Sequence, residues 1–371
     1  MPRRTALALW TFVSAAASPS SPSVQQLVLQ LLCDEQSPAY DAVPIYPGRN
    51  GVGGLFSQLN YLAQEVFSRL YRGYRPFPGW HANTRLRGYG SQSLDAFFHA
   101  IPCGRRRWDT ETTVSRRDAL RALAEAPRHL VVSHVLAALY RPRMARKDVD
   151  ASVHAEATTP LEGSSTTTID LAMHVRRGDR LYVERQSERI REWSEDDIVL
   201  TARKRVRQNG TILVASDDSA FSRQVATRLR TSGYLVLRHH NDMERLDAQN
   251  RSIEAALVCG ASCVPPLLSL VQLFSRARAL MLSSKSNLGS FLLSWWFAAN
   301  ADQVPELFDL DGIVNEKVLS GQHRYFCELP WGSRRGLCKS NQTACELSYM
   351  AQRSFCRGSG SGHSRSRSRN V

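Results

Sequence analysis

The hydrophobic pattern of the chain changes period along its length, and the second half is the easier half to read. Ile169, Leu171, Met173 and Val175 form an apolar run that predicts a strand over 169–175, and a helical pattern follows near 194–208. Thr211 to Ala215 predicts a second strand, and Phe221, Val225 and Leu229 recur at helical spacing behind it. Tyr234 to Leu237 is a third strand, Leu267 to Arg276 a helix and Ala279 to Leu282 a fourth strand. A polar loop, Ser283 to Asn287, then leads into an apolar helix from Leu288 to Ala299. Alternation of this kind predicts an α/β fold with a doubly wound parallel sheet. The ligand crevice of such a sheet lies beyond the carboxyl ends of its strands. Polar segments 176–184, 216–219 and 283–287 all begin there.

The first half is less regular. Val24 to Cys33 is apolar and suggests a short helix within a linker spanning 18–32. Gly51-Val-Gly53-Gly54 opens a segment with Leu55, Leu59, Leu62, Val66 and Leu70 at helical spacing. A glycine turn feeding a helix N-terminus offers backbone N–H groups to an anion, and Gly53 and Gly54 are candidates on that ground. The bland alternative is a tight turn. Residues 80–103 read as loop, 128–140 as a strand running into a helix, and 148–168 as a domain boundary or surface loop.

Composition adds a compartment and a charge. Arg3 and Arg4 precede the apolar run Ala6 to Ala17, which ends in small residues. That is the pattern of a signal peptide over 1–17, with a short membrane anchor as the alternative, since a span needs ~20 residues. Eight cysteines and the sequons at Asn209, Asn250 and Asn341 fit the secretory pathway, as a Golgi-lumenal or secreted protein. Cys327, Cys338, Cys345 and Cys356 lie in a Cys-rich extension over 301–356. Their spacing lacks the CxxC pair of a zinc site, so disulfides are expected. The net charge of +14 falls partly in a Gly/Ser/Arg tail, 357–371, that cannot bury a core. The remaining excess suits an anionic ligand. Aromatic–basic interleaving is missing, which argues against nucleic acid.

The richest stretch is His174-Val-Arg176-Arg177-Gly-Asp179-Arg180. Cations at the mouth of a buried strand are costly unless something anionic meets them. Two adjacent guanidinium groups suit a diphosphate, each presenting a planar fork of donors. Arg177 has a second reading, as support paired with a nearby acid, and His174 has one as a packed histidine. Asp217 and Asp218 serve the site or cap the next helix. Ser284, Ser286 and Asn287 cap a helix whose start also suits phosphate. Asp309-Leu-Asp311 is a literal DxD, a metal-holding pattern in other sugar transferases, read here as a turn.

Five segments in order resemble the α1,6-fucosyltransferase family, within the wider inverting fucosyltransferases of GT-B architecture. They are Gly51 to Leu59 with Gln58, Ser133 to Pro142, His174 to Asp179, Ala215-Ser-Asp-Asp218, and Phe274 to Asn287. The resemblance covers roughly 48–300. It implies two facing α/β domains, an acceptor-side one over 33–165 and a Rossmann-like nucleotide-sugar one over 166–300. It implies a GDP-fucose donor, a glycan or glycoprotein acceptor, no cofactor and no metal. Arg176 matches the arginine that clamps the donor diphosphate, and His174 and Asp179 match residues around it. Glu184 falls where the family places its proposed base, Asp218 is the runner-up, and Arg180 stands where the family has lysine. Where the family reads guanine with an aspartate, this chain has Leu268-Ser269-Leu270-Val271-Gln272, with Ser269 or Gln272 as substitutes. Alternatives are a protein O-fucosyltransferase, a fucosyltransferase of other linkage, and a non-catalytic GT-B-like binder of nucleotide or glycan.

Overall fold

A computed structural model describes residues 22–40, 54–89, 91–103, 114–126, 128–144, 148–149, 153–155, 168–177, 193–239, 260–283, 286–300 and 306–310. In chain order the elements are α1 (Val24–Cys33), β1 (Ala39–Tyr40), α2 (Leu55–Tyr71), β2 (Arg75–Pro76), α3 (Trp80–Asn83), α4 (Arg116–Glu125), α5 (Arg128–Leu139), β3 (Val153–Ala155) and β4 (Ile169–Val175). They continue with α6 (Glu195–Arg205), β5 (Thr211–Ser216), α7 (Ser219–Thr231), β6 (Leu235–His239), α8 (Val264–Phe274), β7 (Ala277–Leu282), α9 (Asn287–Ala299) and β8 (Glu306–Asp309).

The main sheet has the order β3-β6-β5-β4-β7-β8, parallel except for β3 at one edge. The five parallel strands form a Rossmann-like sheet with helices on both faces. Every residue of β5 is buried and β4 nearly so, because helices cover both sides of the central strands. Leu171, Met173, Val175, Ile212, Val214 and Met281 face α6 and α7. Ala172, Leu213, Ala215, Leu280 and Leu282 face the other way, onto α8 and α9.

Local sequence explains the helix boundaries. Ser194 and Asp197 form a capping box at α6, whose first turn is acidic and last turn basic, matching the helix dipole at both ends. Pro265 and Pro266 stand in the first turn of α8, where an absent N–H costs nothing. Between α6 and β5 the chain turns at Asn209, with φ of 66°, and Gly210. A Cβ on Gly210 would lie 2.4 Å from the Val206 side chain, so only glycine fits.

Among the described residues of the N-terminal part, the strands β1 and β2 are two residues each, paired parallel, and the body is helical. This helical body shares one core with the sheet. Phe291 of α9 meets Phe56 of α2 at 4.8 Å and Tyr140, just after α5, at 6.2 Å between ring centroids. Tyr140 also donates its hydroxyl proton to Leu59 O at 2.8 Å. A disulfide, Cys33–Cys103, ties the end of α1 to the segment before α4, and Cys263 is disulfide-bonded as well. The Cys-rich extension, the tail and the leader lie outside the described residues.

Several expectations need correction. The span 128–140 holds no strand: α5 runs from Arg128 to Leu139, and a segment apolar on nearly all sides shows no period by which to tell the two apart. Residues 24–32 are not linker, since α1 buries Leu27, Val28, Leu31 and Leu32 in the shared core. Within 148–168, β3 pairs with β6, and at the far edge β8 adds a strand beyond residue 300. Asp309 is the last residue of β8, Leu310 begins the turn that follows it, and Asp311 lies outside the described residues.

Candidate functional site

The order of strands locates the crevice. From β4 the chain moves outward through β5 and β6, then returns to the other side of β4 for β7 and β8. Connections leave β4 and β7 in opposite directions, which opens a gap above their carboxyl ends. His174 sits at that level, registered with Ala215 on one neighbour and Leu282 on the other. Hydrogen bonds lock the strand exits together. Ser283 N donates to His174 O at 3.0 Å, Arg176 N donates to Ser283 Oγ at 3.2 Å, and Ser216 Oγ donates to Val175 O at 2.6 Å.

The two arginines part company at this gap. Arg177 turns toward α7: its guanidinium lies 4.3 Å over the Phe221 ring, with Nε 3.4 Å from Asp218 Oδ2. It also donates through Nη1 to Trp193 O at 3.0 Å, and its backbone N–H donates to Asp217 Oδ1 at 2.7 Å. Arg176 lies close enough to His174 for its charge to act on that ring. Asp218 has two tasks already. Its Oδ1 caps α7 by accepting from Phe221 N at 2.9 Å, and its Oδ2 pairs with Arg177. The support reading of Arg177 and the capping reading of Asp218 are thus both realised in the fold.

His174 is buried at 4% exposure. Burial, reinforced by the Arg176 charge, pushes its pKa from 6.5 down to about 3, so the ring is neutral at physiological pH. Its Nδ1 is buried and has no hydrogen-bond partner among the described residues. A neutral imidazole can donate from one nitrogen or accept at the other, depending on tautomer.

On the far side of the gap, Ser286 caps α9 by accepting from Gly289 N at 2.9 Å. Asn287 reaches the N-terminal body instead of the gap: its side-chain nitrogen donates to Ser57 Oγ, and its carbonyl accepts from Asn60 Nδ2 at 2.9 Å. These bonds bring the amino-terminal turn of α2 beside that of α9. Gly54 is the N-cap residue of α2, with nothing within 4 Å of where a Cβ would sit. Leu55 N, one of the helix's unpaired donors, is taken by Tyr89 Oη at 2.7 Å. Gln58 clamps the same loop at both ends of its amide, donating to Arg87 O and accepting from Arg87 N.

His174, Arg176, Arg177, Asp217, Asp218 and Ser286 therefore gather at the exits of the three central strands, while Asn287 is bonded to Ser57 and Asn60 of the adjoining α2, whose N-cap is Gly54. Gly53, Asp179, Arg180, Glu184 and Ser284 lie outside the described residues. Ser269 is fully buried and donates to Pro266 O at 2.7 Å within its own helix, so it is not placed to read a base. Sequence reasoning missed Trp193, Phe221, Tyr89 and Asn60. Phe221 is indistinguishable from a core residue by periodicity, and no local signal marks the other three. Among the described residues no group of His, Cys, Asp or Glu is arranged to hold a metal ion, and no helix is long and apolar enough to cross a membrane. No protein-family model matches the chain, and no curated protein matches it.

Proposed function

We propose that the protein is an inverting, metal-independent glycosyltransferase that moves fucose from GDP-fucose to a glycan hydroxyl in the secretory pathway. The supporting observation is Arg176: it stands at the gap between β4 and β7, its backbone pinned by Ser283, where a nucleotide-sugar diphosphate would lie. In this reading the Rossmann-like sheet is the donor half of a GT-B pair and the N-terminal helical body carries part of the acceptor surface.

The chemistry follows from the charges. As the bond between the sugar and the diphosphate breaks, negative charge builds on the leaving oxygen, and Arg176 neutralises it. The amino ends of α7 and α9 add partial positive charge at the same level. The acceptor oxygen attacks from the opposite face of the sugar, giving inversion, and its proton passes to a carboxylate. Glu184 takes that role, because Asp218 is already capping α7 and pairing with Arg177. Neutral His174 leaves the positive field of Arg176 undivided and supplies one hydrogen-bonding nitrogen.

Titration with GDP, UDP and CMP, followed by turnover of GDP-fucose, tests the proposal. Arg176→Ala should weaken GDP binding and cut turnover by ~10²–10³, the usual cost of losing an electrostatic donor. Glu184→Gln should leave GDP binding intact and cut turnover by ~10²–10⁴, the usual worth of a general base. EDTA should leave turnover unchanged. Full activity in Arg176→Ala would sink the clamp. The engagement of Asp218 favours one second reading, a non-catalytic nucleotide binder, and GDP binding without any sugar transfer would establish it.

A further inference from the structure

One motif of the chain takes no part in the gap: the sequon Asn209-Gly210-Thr211, which joins α6 to β5. Resting on the secretory-pathway reading of the chain, we infer that Asn209 carries an N-linked oligosaccharide. It is attached before β5 enters the sheet, and it stands at the pole opposite the strand exits.

The turn has its own uses for these residues, and they leave the Asn209 amide over. Asn209 adopts φ of 66°, a region asparagine visits readily because its side chain can bond locally. Here that local bonding is not what closes the turn. Asn209 N–H donates to Gly233 O at 3.2 Å, Gly210 N–H to Arg207 O at 2.9 Å, and Leu235 N–H to Gly210 O at 3.1 Å, all between backbone groups. Among the described residues the Asn209 side chain makes none of these bonds. Asn209 is exposed, and so are Arg207, Gln208 and Gly233 around it, which leaves room for a bulky polar group.

Position keeps such a group away from the gap. β5 runs from Thr211 to Ser216, and the site stands at its Ser216 end. Asn209 lies just before the other end, so about 20 Å of extended chain separates the two. The turn around Gly233, between α7 and β6, shares that pole through its bond to Asn209.

Thr211 sets the order of events. The sequon is read as a pair, the asparagine amide together with the hydroxyl of the Ser or Thr after the intervening residue. In the fold only the first is open: Thr211 is 8% exposed, its N–H donates to Asp170 Oδ2 at 2.9 Å, and it is paired with Leu235 of β6. Transfer therefore precedes the docking of β5 between β4 and β6. The donor is an oligosaccharide held on a lipid diphosphate. The Asn209 amide nitrogen attacks the anomeric carbon and loses a proton. The new N–C bond forms as the C–O bond to the diphosphate breaks, and the lipid diphosphate leaves.

The full chain, made in eukaryotic secretory cells, is digested with peptide N-glycosidase in heavy-oxygen water and mapped by mass spectrometry. Most molecules should show an aspartate at 209 labelled with heavy oxygen. Thr211→Val keeps the β-branched shape and loses the hydroxyl, and should lose that label entirely. If Thr211→Val does not fold, Asn209→Asp, which tolerates the same backbone region, should lose one step of electrophoretic mobility on digestion. The order is tested on chain made with glycosylation blocked. Oligosaccharyltransferase with its lipid-linked donor should modify Asn209 in the folded chain about 10-fold or more slowly than in a synthetic peptide of residues 204–216, because a central strand opens rarely.

A secreted chain with Asn209 bare would overturn the inference. So would an aspartate at 209 with ordinary oxygen alone, the mark of spontaneous ammonia loss at Asn-Gly. Equal rates for folded chain and peptide would overturn the order of events. A chain left outside the lumen in a microsome protection assay would fell the secretory reading and this inference with it.

Discussion

The backbone N–H of Arg176 meets the hydroxyl oxygen of Ser283 at 3.2 Å, across the boundary between β4 and β7. One serine thus sets the height at which the arginine leaves the sheet. Ser283 is itself held, since its own N–H donates to His174 O. Ser283→Ala removes that acceptor from the half-buried Arg176 N–H. The expected cost is about 1 kcal/mol of stability, the net worth of one hydrogen bond, with a weaker thermal shift on adding GDP. Melting curves with and without GDP check both, and an unchanged ligand shift would detach Ser283 from the site.

Stability should fall with acid in a defined window. His174 titrates near 6.5 in the unfolded chain and about 3 in the fold. Between those values the unfolded state binds the extra proton, so the contribution is complete above 6.5 and is lost progressively as pH drops toward 3. His81 and His134 are also pushed down, chiefly by burial, and add in the same direction. Urea melts at pH 7, 6, 5 and 4 should show a falling midpoint, and His174→Gln should flatten the fall. An equally steep fall in that variant would remove His174 as a cause.

Phe291 joins the N-terminal helices to the sheet. Its ring touches Phe56 and Tyr140 across the shared core, and it is fully buried. Phe291→Ala should cost about 3–5 kcal/mol, the range for emptying a large aromatic site. Because one core spans both parts, wild type should unfold in one transition by near-ultraviolet and far-ultraviolet dichroism alike. Two separate transitions in wild type would contradict a continuous core.

The disulfide Cys33–Cys103 spans a sequence separation of 70. By loop-closure entropy, removing it should cost about 4 kcal/mol. The double variant Cys33→Ser/Cys103→Ser, compared with wild type by chemical denaturation, measures this. A loss under about 1 kcal/mol would mean that residual structure already constrains the unfolded chain.

The central sheet was legible because its strands are short, apolar and punctuated by polar loops. Ile169 to Val175, Thr211 to Ser216 and Ala277 to Leu282 each carry that mark. So was the gathering of His174, Arg176, Asp217 and Ser286, since parallel strands deliver their exits to one edge. The edge strands β3 and β8 were not legible. They are three and four residues long, and only pairing with β6 and β7 makes them strands. Helix α5 defeated reading by period because it is surrounded by core.

By itself, the sequence determined the alternation of elements, the parallel sheet and the cationic exit of β4, because these follow from local periodicity and chirality. Tertiary structure alone decided that Arg177 serves Trp193, Asp218 and Phe221 while Arg176 stays with His174. Both residues stand just past the end of β4, where the strand's alternation no longer sets direction, and their partners come from elements far away in the chain.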